Sequence, residues 1–204
     1  MLLLFDLDGT LLDSSEGIYN SVRYAEKKMG LIPVSNDILR EFVGPPPKEM
    51  YSKVYDLDEE SAQRATMFHR EYSEKKGIYE SVPYPNIQLV LQELKRKGYI
   101  LGVATLKKQS LADEVLKYTK MNYFDVIVGM DPEEKSSKVD IIRTAMECVN
   151  CSEAIMIGDT EYDYRGALAA GIGFIGVLYG FGFDRNGVYP FPTAERAIDL
   201  LDVM

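Results

Sequence analysis

Histidine is almost missing from this chain of 204 residues: it holds one, His69, together with two cysteines and no tryptophan. A four-ligand zinc site is hard to assemble from that stock. With no histidine near any candidate site, Ser-His and Cys-His nucleophilic chemistry is excluded. His69 lies in a charged helical stretch and is expected to be a solvated surface residue. Cys148 and Cys151 form a lone C-x-x-C between an apolar helix and an apolar strand, and are expected to be buried packing thiols. Positive charge is also scarce. There are 23 Lys and Arg against 32 Asp and Glu, a formal net charge of −9. That balance speaks against nucleic acid and anionic membranes as partners, and an anionic ligand would need a local positive site. No apolar run approaches a membrane span, and the short apolar start lacks the basic flank of a secretory signal, so the expected location is the cytoplasm. What remains to do chemistry is carboxylate.

The carboxylates are placed with a pattern. Leu2-Leu3-Leu4-Phe5 is long enough for one buried strand and ends in Asp6-Leu7-Asp8-Gly9-Thr10. A central strand of a parallel sheet reads as a continuous apolar run, and ligands sit beyond its carboxyl end. Side chains alternate along a strand, so Asp6 and Asp8 leave on the same side. Gly9 allows a tight turn and a close approach to the backbone. Two carboxylates held together are costly unless a cation or a proton joins them, and this geometry asks for a metal. A polar turn would explain the residue types, but Asp-x-Asp-Gly-Thr arises by chance in a chain of this length only roughly once in a thousand.

After Ser14 the character changes. Segments around 15–29, 36–43, 46–56 and 58–76 carry apolar residues at helical spacing, with breaks at Gly30, Pro33 and Gly44-Pro45-Pro46-Pro47. They read as an all-helical unit inserted after the first strand. From Val82 onward, helices at about 86–97, 110–118, 137–149, 163–170 and 193–202 alternate with apolar strands at 99–104, 124–128, 154–157 and 173–177. With the first strand this makes five, and predicts a doubly wound parallel sheet. A chain that leaves at Ser14 and returns near Ser81 departs beside the paired aspartates, so the insert must hover over that end of the sheet, with the two crossings as hinges.

The strand Ile155-Met156-Ile157 repeats the logic of the opening: it ends in Gly158-Asp159-Thr160-Glu161-Tyr162-Asp163. Asp159 and Asp163 stand one helical turn apart and can face one point, as a hard divalent cation requires. Glu161 is expected to be solvated. Thr105 follows a strand end, where its hydroxyl can donate to a phosphoryl oxygen. Lys135 and Lys138 precede a helix whose free amides favour anions.

Asp6-Leu7-Asp8-Gly9-Thr10 and Gly158-Asp159 through Asp163 resemble the first and fourth motifs of the haloacid dehalogenase-like superfamily. Thr105 and Lys138 resemble its second and third, with Leu106 where many relatives carry Asn. The glycine-rich 176–182 and Phe42-Val43-Gly44-Pro45-Pro46 resemble segments of its phosphoglycolate-phosphatase-like members. The resemblance implies a Rossmann-like core of residues 1–14 and 81–204 with a helical cap at 15–80. It implies a phosphatase that uses Mg²⁺ and hydrolyses a small phosphorylated metabolite. Asp6 would be the nucleophile and form an aspartyl-phosphate, with Asp8 as general acid and base. Thr105 and Lys138 would hold the phosphoryl charge. Asp6, the Asp8 carbonyl and Asp159 would bind Mg²⁺, Asp163 standing behind them, while Gly9, Thr10, Gly44 and Pro45 shape the phosphate and substrate site. A phosphomutase, a nucleotidase, a pyrophosphatase and, from another class, a phospho-accepting receiver share these groups. Receivers leave their aspartate open, which a helical insert does not. Oligomeric state is not legible.

Overall fold

The computed structural model describes residues 1–131, 133 and 135–204. In chain order the elements are β1 (Leu2–Phe5), β2 (Leu12–Asp13), α1 (Ser15–Met29), α2 (Asn36–Arg40), α3 (Pro47–Tyr55), α4 (Glu59–Lys75), β3 (Val82–Pro83), α5 (Ile87–Arg96), β4 (Ile100–Lys108), α6 (Gln109–Tyr118), β5 (Val126–Met130), α7 (Lys138–Cys148), β6 (Ala154–Gly158), α8 (Glu161–Ala170), β7 (Gly173–Val177), β8 (Thr193–Ala194) and α9 (Leu200–Val203), with short 3₁₀ turns at Gly77–Glu80 and Ala197–Asp199.

Six strands form one parallel sheet in the order β5-β4-β1-β6-β7-β8. All four residues of β1 are fully buried, because this strand is covered on both faces. Leu3 and Phe5 face one core, shared with α5 and α6, and Leu2 and Leu4 face the other, shared with α7 and α8. An uninterrupted apolar run is what that position demands. β1 sits between β4 and β6, so the residues after β1, β4 and β6 converge on one rim of the sheet. A third cluster, with Val22, Leu39, Phe42, Met50 and Tyr51, belongs to α1–α4 alone. These helices lie between β2 and β3, which pair antiparallel, Leu12 with Pro83 and Asp13 with Val82. Among the described residues no helix is long and apolar enough to cross a membrane.

The expected parallel α/β fold with helices on both faces is present, with differences that have physical causes. The sheet has a sixth strand: the expected helix at 193–202 is instead β8, which pairs with Gly176 and Val177, a 3₁₀ turn and the short α9. β4 does not stop at Ala104 but runs to Lys108, with its register against β5 shifted between those two residues. α2 ends at Arg40, since the chain must turn into Gly44, whose φ is +104°. His69 is buried, contrary to the surface position expected for it. α4 turns that part of its charged surface toward the sheet rim and toward Tyr51, which periodicity alone does not reveal. Of the two cysteines expected to be buried packing thiols, Cys148 is exposed, whereas Cys151 is half-buried and packs against the core on the α7 and α8 face of the sheet. Both are free, at the open end of α7 and the turn after it.

Candidate active site

β1, β4 and β6 deliver their carboxyl ends side by side, and each supplies polar groups that a core would otherwise reject. Asp6, Asp8, Thr10, Thr105, Lys138, Asp159 and Asp163 are all less than a tenth exposed. Buried charge is tolerated only when paired or bound to a counter-ion. The pairing here is explicit. Lys138 enters from the first turn of α7, donates to Asp6 Oδ1 at 2.6 Å and to the carbonyl oxygen of Ala104 at 2.7 Å, and forms an ion pair with Asp163 Oδ1 at 2.6 Å. Ser137 caps α7 and thereby fixes where Lys138 starts. Lys135, the other candidate, is exposed and pairs with Glu133.

Asp8 has a separate set of partners. The Ser14 hydroxyl donates to its Oδ1 at 2.6 Å, and Lys107 Nζ lies 2.8 Å from its Oδ2. The Ser14 hydroxyl thus makes no capping bond to α1, although Ser14 occupies the N-cap position. Lys107 reaches the rim because β4 continues past Ala104. Asp159 receives the Thr10 hydroxyl on Oδ1 at 3.3 Å and the backbone N–H of Phe181 on Oδ2 at 2.8 Å. Gly9, at φ +83°, passes so close to Asp159 that a Cβ would collide with its carboxylate. Asp163 Oδ2 accepts from the Thr160 hydroxyl and backbone N–H, closing a capping box at the start of α8. With Oδ1 on Lys138 and Oδ2 on Thr160, Asp163 holds other groups in place. Thr105 is buried, and its Oγ1 accepts from the N–H of Lys107 at 3.2 Å. Glu161 is exposed and paired with Arg165, as expected.

One charge imbalance stands out. Asp6, Asp159 and Asp163 place carboxylate oxygens within 4.8 Å of one another, and Lys138 is the one ammonium paired with them among the described residues. Three carboxylates against one ammonium leave two negative charges without a partner. Burial pushes Asp6 up to about 7, with Asp163 and Asp8 adding to the rise and Lys138 opposing it. Burial, then Asp163, raises Asp159 well above the usual carboxylate range. Burial alone would lower Lys138, but Asp163 and Asp6 outweigh it and hold its ammonium above the ordinary lysine range. A divalent cation answers this deficit, and its chemistry suits an all-oxygen, partly carboxylate donor set. The residues present therefore fit a hard metal ion, although the carboxylate of Asp8 lies outside the cluster.

The helices α1–α4 close over this rim. Gly44 comes so near the core that a Cβ would stand 2.9 Å from Thr160 Cγ2. Arg40 donates to the Gly180 carbonyl at 3.0 Å and lies 5.2 Å from the Phe181 ring, and Tyr162 donates to Glu49 at 2.6 Å. Between the helices and the sheet is a cleft with about 90 Å³ of free space, lined by Asp8 and Lys107 below and by Phe42, Gly44, Pro45 and His69 above. A larger cavity of about 710 Å³, lined by Arg40, Tyr84, Tyr179, Phe181 and Arg185, holds none of the four clustered or paired aspartates. Chemistry, not size, identifies the cleft.

The structure thus brings together Asp6, Asp8, Thr105, Lys138, Asp159 and Asp163, with Gly9, Thr10, Gly44 and Pro45 around them. Sequence reasoning gave no chemical role to Lys107 or the Phe181 amide, and it read Ser14 only as a hinge crossing. Lys107 carried a signal, since it directly follows Thr105 at a strand end. His69 was set aside, yet it lines the cleft with Asp8, and the expectation that no histidine stands near the site is corrected.

Comparisons agree with this geometry. Residues 3–177 match the model of the haloacid dehalogenase-like hydrolase family. A 5′-nucleotidase of Pseudomonas aeruginosa is 35% identical over 88% of this chain and 83% of its own length. A phosphoglycolate phosphatase of Aquifex aeolicus is 31% identical over 99% of this chain and 95% of its own. The crystal structure of a predicted phosphatase from Clostridium acetobutylicum superposes with a TM-score of 0.90 at 42% identity, covering 98% of this chain and 95% of that one. With its motifs, its sheet order and these relatives in agreement, the chain belongs to the haloacid dehalogenase-like hydrolases, in the branch that includes the phosphoglycolate phosphatases.

Proposed function

We propose that the protein is a Mg²⁺-dependent phosphatase that hydrolyses a small, phosphoglycolate-like phosphate monoester through an aspartyl-phosphate on Asp6. The observation that carries the proposal is the division of labour between two neighbouring carboxylates: Asp6 is held by Lys138 among clustered aspartates, and Asp8 is held apart by Ser14 and Lys107. Phosphoryl transfer needs an in-line nucleophile, neutralised phosphoryl oxygens and a protonated leaving group. Asp6 attacks phosphorus, and the phosphoryl group passes to its carboxylate oxygen. Asp8, oriented by Ser14 and Lys107, gives a proton to the leaving oxygen and later takes one from the water that releases phosphate. Lys138, Thr105 and the amides of the turn through Gly9 and Thr10 hold charge on the phosphoryl oxygens. Asp6, Asp159 and the Asp8 carbonyl would hold Mg²⁺, with Asp163 fixing Lys138 beside it. The ion supplies the positive charge that lets a carboxylate approach a phosphate.

Residues 15–80 act as a cap on the core formed by 1–14 and 81–204, moving about the crossings paired in β2 and β3. The cleft beside Asp8, with about 90 Å³ of free space, supports a substrate with few atoms beyond the phosphate. The test is phosphate release from phenyl phosphate and 2-phosphoglycolate with and without Mg²⁺, for the wild type and Asp6→Asn. Turnover that needs Mg²⁺ and falls at least about a thousandfold in the variant is expected. Turnover that survives the substitution would sink the proposed nucleophile.

A further inference from the structure

The cleft contains one polar side chain that the proposed mechanism leaves unused. His69, on α4, is 5% exposed, and its Nδ1 lies 3.2 Å from the hydroxyl of Tyr51 on α3. Tyr51 is itself fully buried, its ring edge-on to the imidazole and to Phe42. Burial holds the Tyr51 phenol above its ordinary range, so the hydroxyl keeps its proton and has one to donate to Nδ1. Burial, reinforced by the charges of Lys107 and Arg70 and opposed by Asp8, lowers His69 to about 3, which leaves the imidazole neutral. A neutral imidazole that accepts on Nδ1 carries its proton on Nε2. Among the described residues Nε2 has no protein partner, while the ring lines the cleft beside Asp8 and Lys107.

We infer that His69 is a specificity-determining residue: its Nε2–H, fixed in that tautomer by Tyr51, donates to a carboxylate on the leaving group of the substrate. The inference rests on the phosphatase reading and adds to it what the cap recognises. The site suits an acceptor and not a donor, because Nε2 offers only a proton. It suits an anion, because the positive field of Lys107 and Arg70 at the imidazole exceeds the opposing contribution of Asp8, the partner of Lys107. A neutral donor has the further property of holding its charge state across the working pH range.

Because His69 is the chain's only histidine, its nitrogens are the only imidazole signals in a side-chain nitrogen NMR spectrum. The test compares kcat/KM for 2-phosphoglycolate with that for phenyl phosphate, which offers no acceptor beyond its phosphate. His69→Phe should lower the ratio roughly ten- to a hundredfold, mostly through KM for 2-phosphoglycolate, as the loss of a hydrogen bond to a charged group requires. His69→Gln, which keeps a donor, should restore much of the ratio, and Tyr51→Phe should lower it less than His69→Phe. Equal losses on both esters would assign His69 to cap packing and overturn the inference, as would an unchanged ratio or a wild type with no preference for 2-phosphoglycolate. If neither ester turns over, the phosphatase reading fails on its own, and the NMR spectrum of Asp6→Asn decides about His69. A Nε2–H signal moved by 2-phosphoglycolate and not by inorganic phosphate supports the contact. A signal moved by neither or by both equally rejects it.

Discussion

Asp6 and Asp159 are acids whose pKa values stand above the unfolded ones, and that has a definite consequence for stability. Between about pH 4 and pH 7, the folded metal-free protein holds protons on these groups that the unfolded chain has released. Stability of the metal-free protein therefore falls as pH rises through that window. A bound cation reverses the sign, since it favours the ionised carboxylates. Thermal unfolding in EDTA should show a midpoint that drops from pH 5 toward pH 7.5, and added Mg²⁺ should raise the midpoint more at pH 7.5 than at pH 5. A flat or rising midpoint in EDTA would contradict the charge imbalance described for the cluster. Lys138 makes a second prediction. Lys138→Ala leaves Asp6 and Asp163 without their ammonium, at a cost of about 3–5 kcal/mol in the metal-free protein. Denaturant unfolding with and without Mg²⁺ measures it, and a loss under about 1 kcal/mol would mean that solvent already screens the pair.

At the scale of elements, the site is legible wherever a strand ends. Asp6, Asp8 and Asp159 follow apolar runs that only a doubly covered strand explains, so their place at the rim could be read from the chain. Lys138 was found because it stands just before the apolar start of a helix at Val139, where the resembled family's third motif carries a lysine. Groups set by tertiary packing were not legible. Lys107 reaches Asp8 only because β4 outruns its apolar stretch. His69 looked solvated because α4 is charged almost throughout, and its burial depends on how α3 and α4 face each other. β8 has two residues and no pattern of its own. The loop between α2 and α3 carries the remaining prediction at this scale. Gly44 has a left-handed φ and touches Thr160, so Gly44→Ala combines backbone strain with a clash across the cap–core contact. A cost of about 1–2 kcal/mol, or roughly 2–8 °C in Tm, is expected, with a larger relative loss in kcat/KM. An unaltered kcat/KM would show that this loop takes no part in closure.

Across the whole molecule, the helical insert and the sheet meet through the segment that follows β7. Arg40 of α2 donates to Gly180, and the next residue, Phe181, donates its backbone N–H to Asp159. Cap position and the support of a proposed metal ligand thus share one short loop. Arg40→Ala should raise the Mg²⁺ concentration needed for half-maximal activity by about tenfold, the usual scale for loss of a group that orients a ligand. An unchanged Mg²⁺ requirement would show the contact to be packing alone. With a net charge of −9, the proposed anionic substrate would need local positive charge, for which Lys107 and Lys138 are placed, because the overall field repels it.

The central claim is that Asp6 carries the phosphoryl group between substrate and water. It is tested most directly by quenching Asp8→Asn protein in acid during incubation with Mg²⁺ and p-nitrophenyl phosphate, whose leaving group departs without a proton from Asp8, and mapping the modified peptide by mass spectrometry. Asparagine at position 8 cannot activate water, so the covalent species should accumulate, and the account predicts the mass of one phosphoryl group on the peptide that contains Asp6. Phosphate release with no such label on Asp6, or a label on another carboxylate, would contradict it.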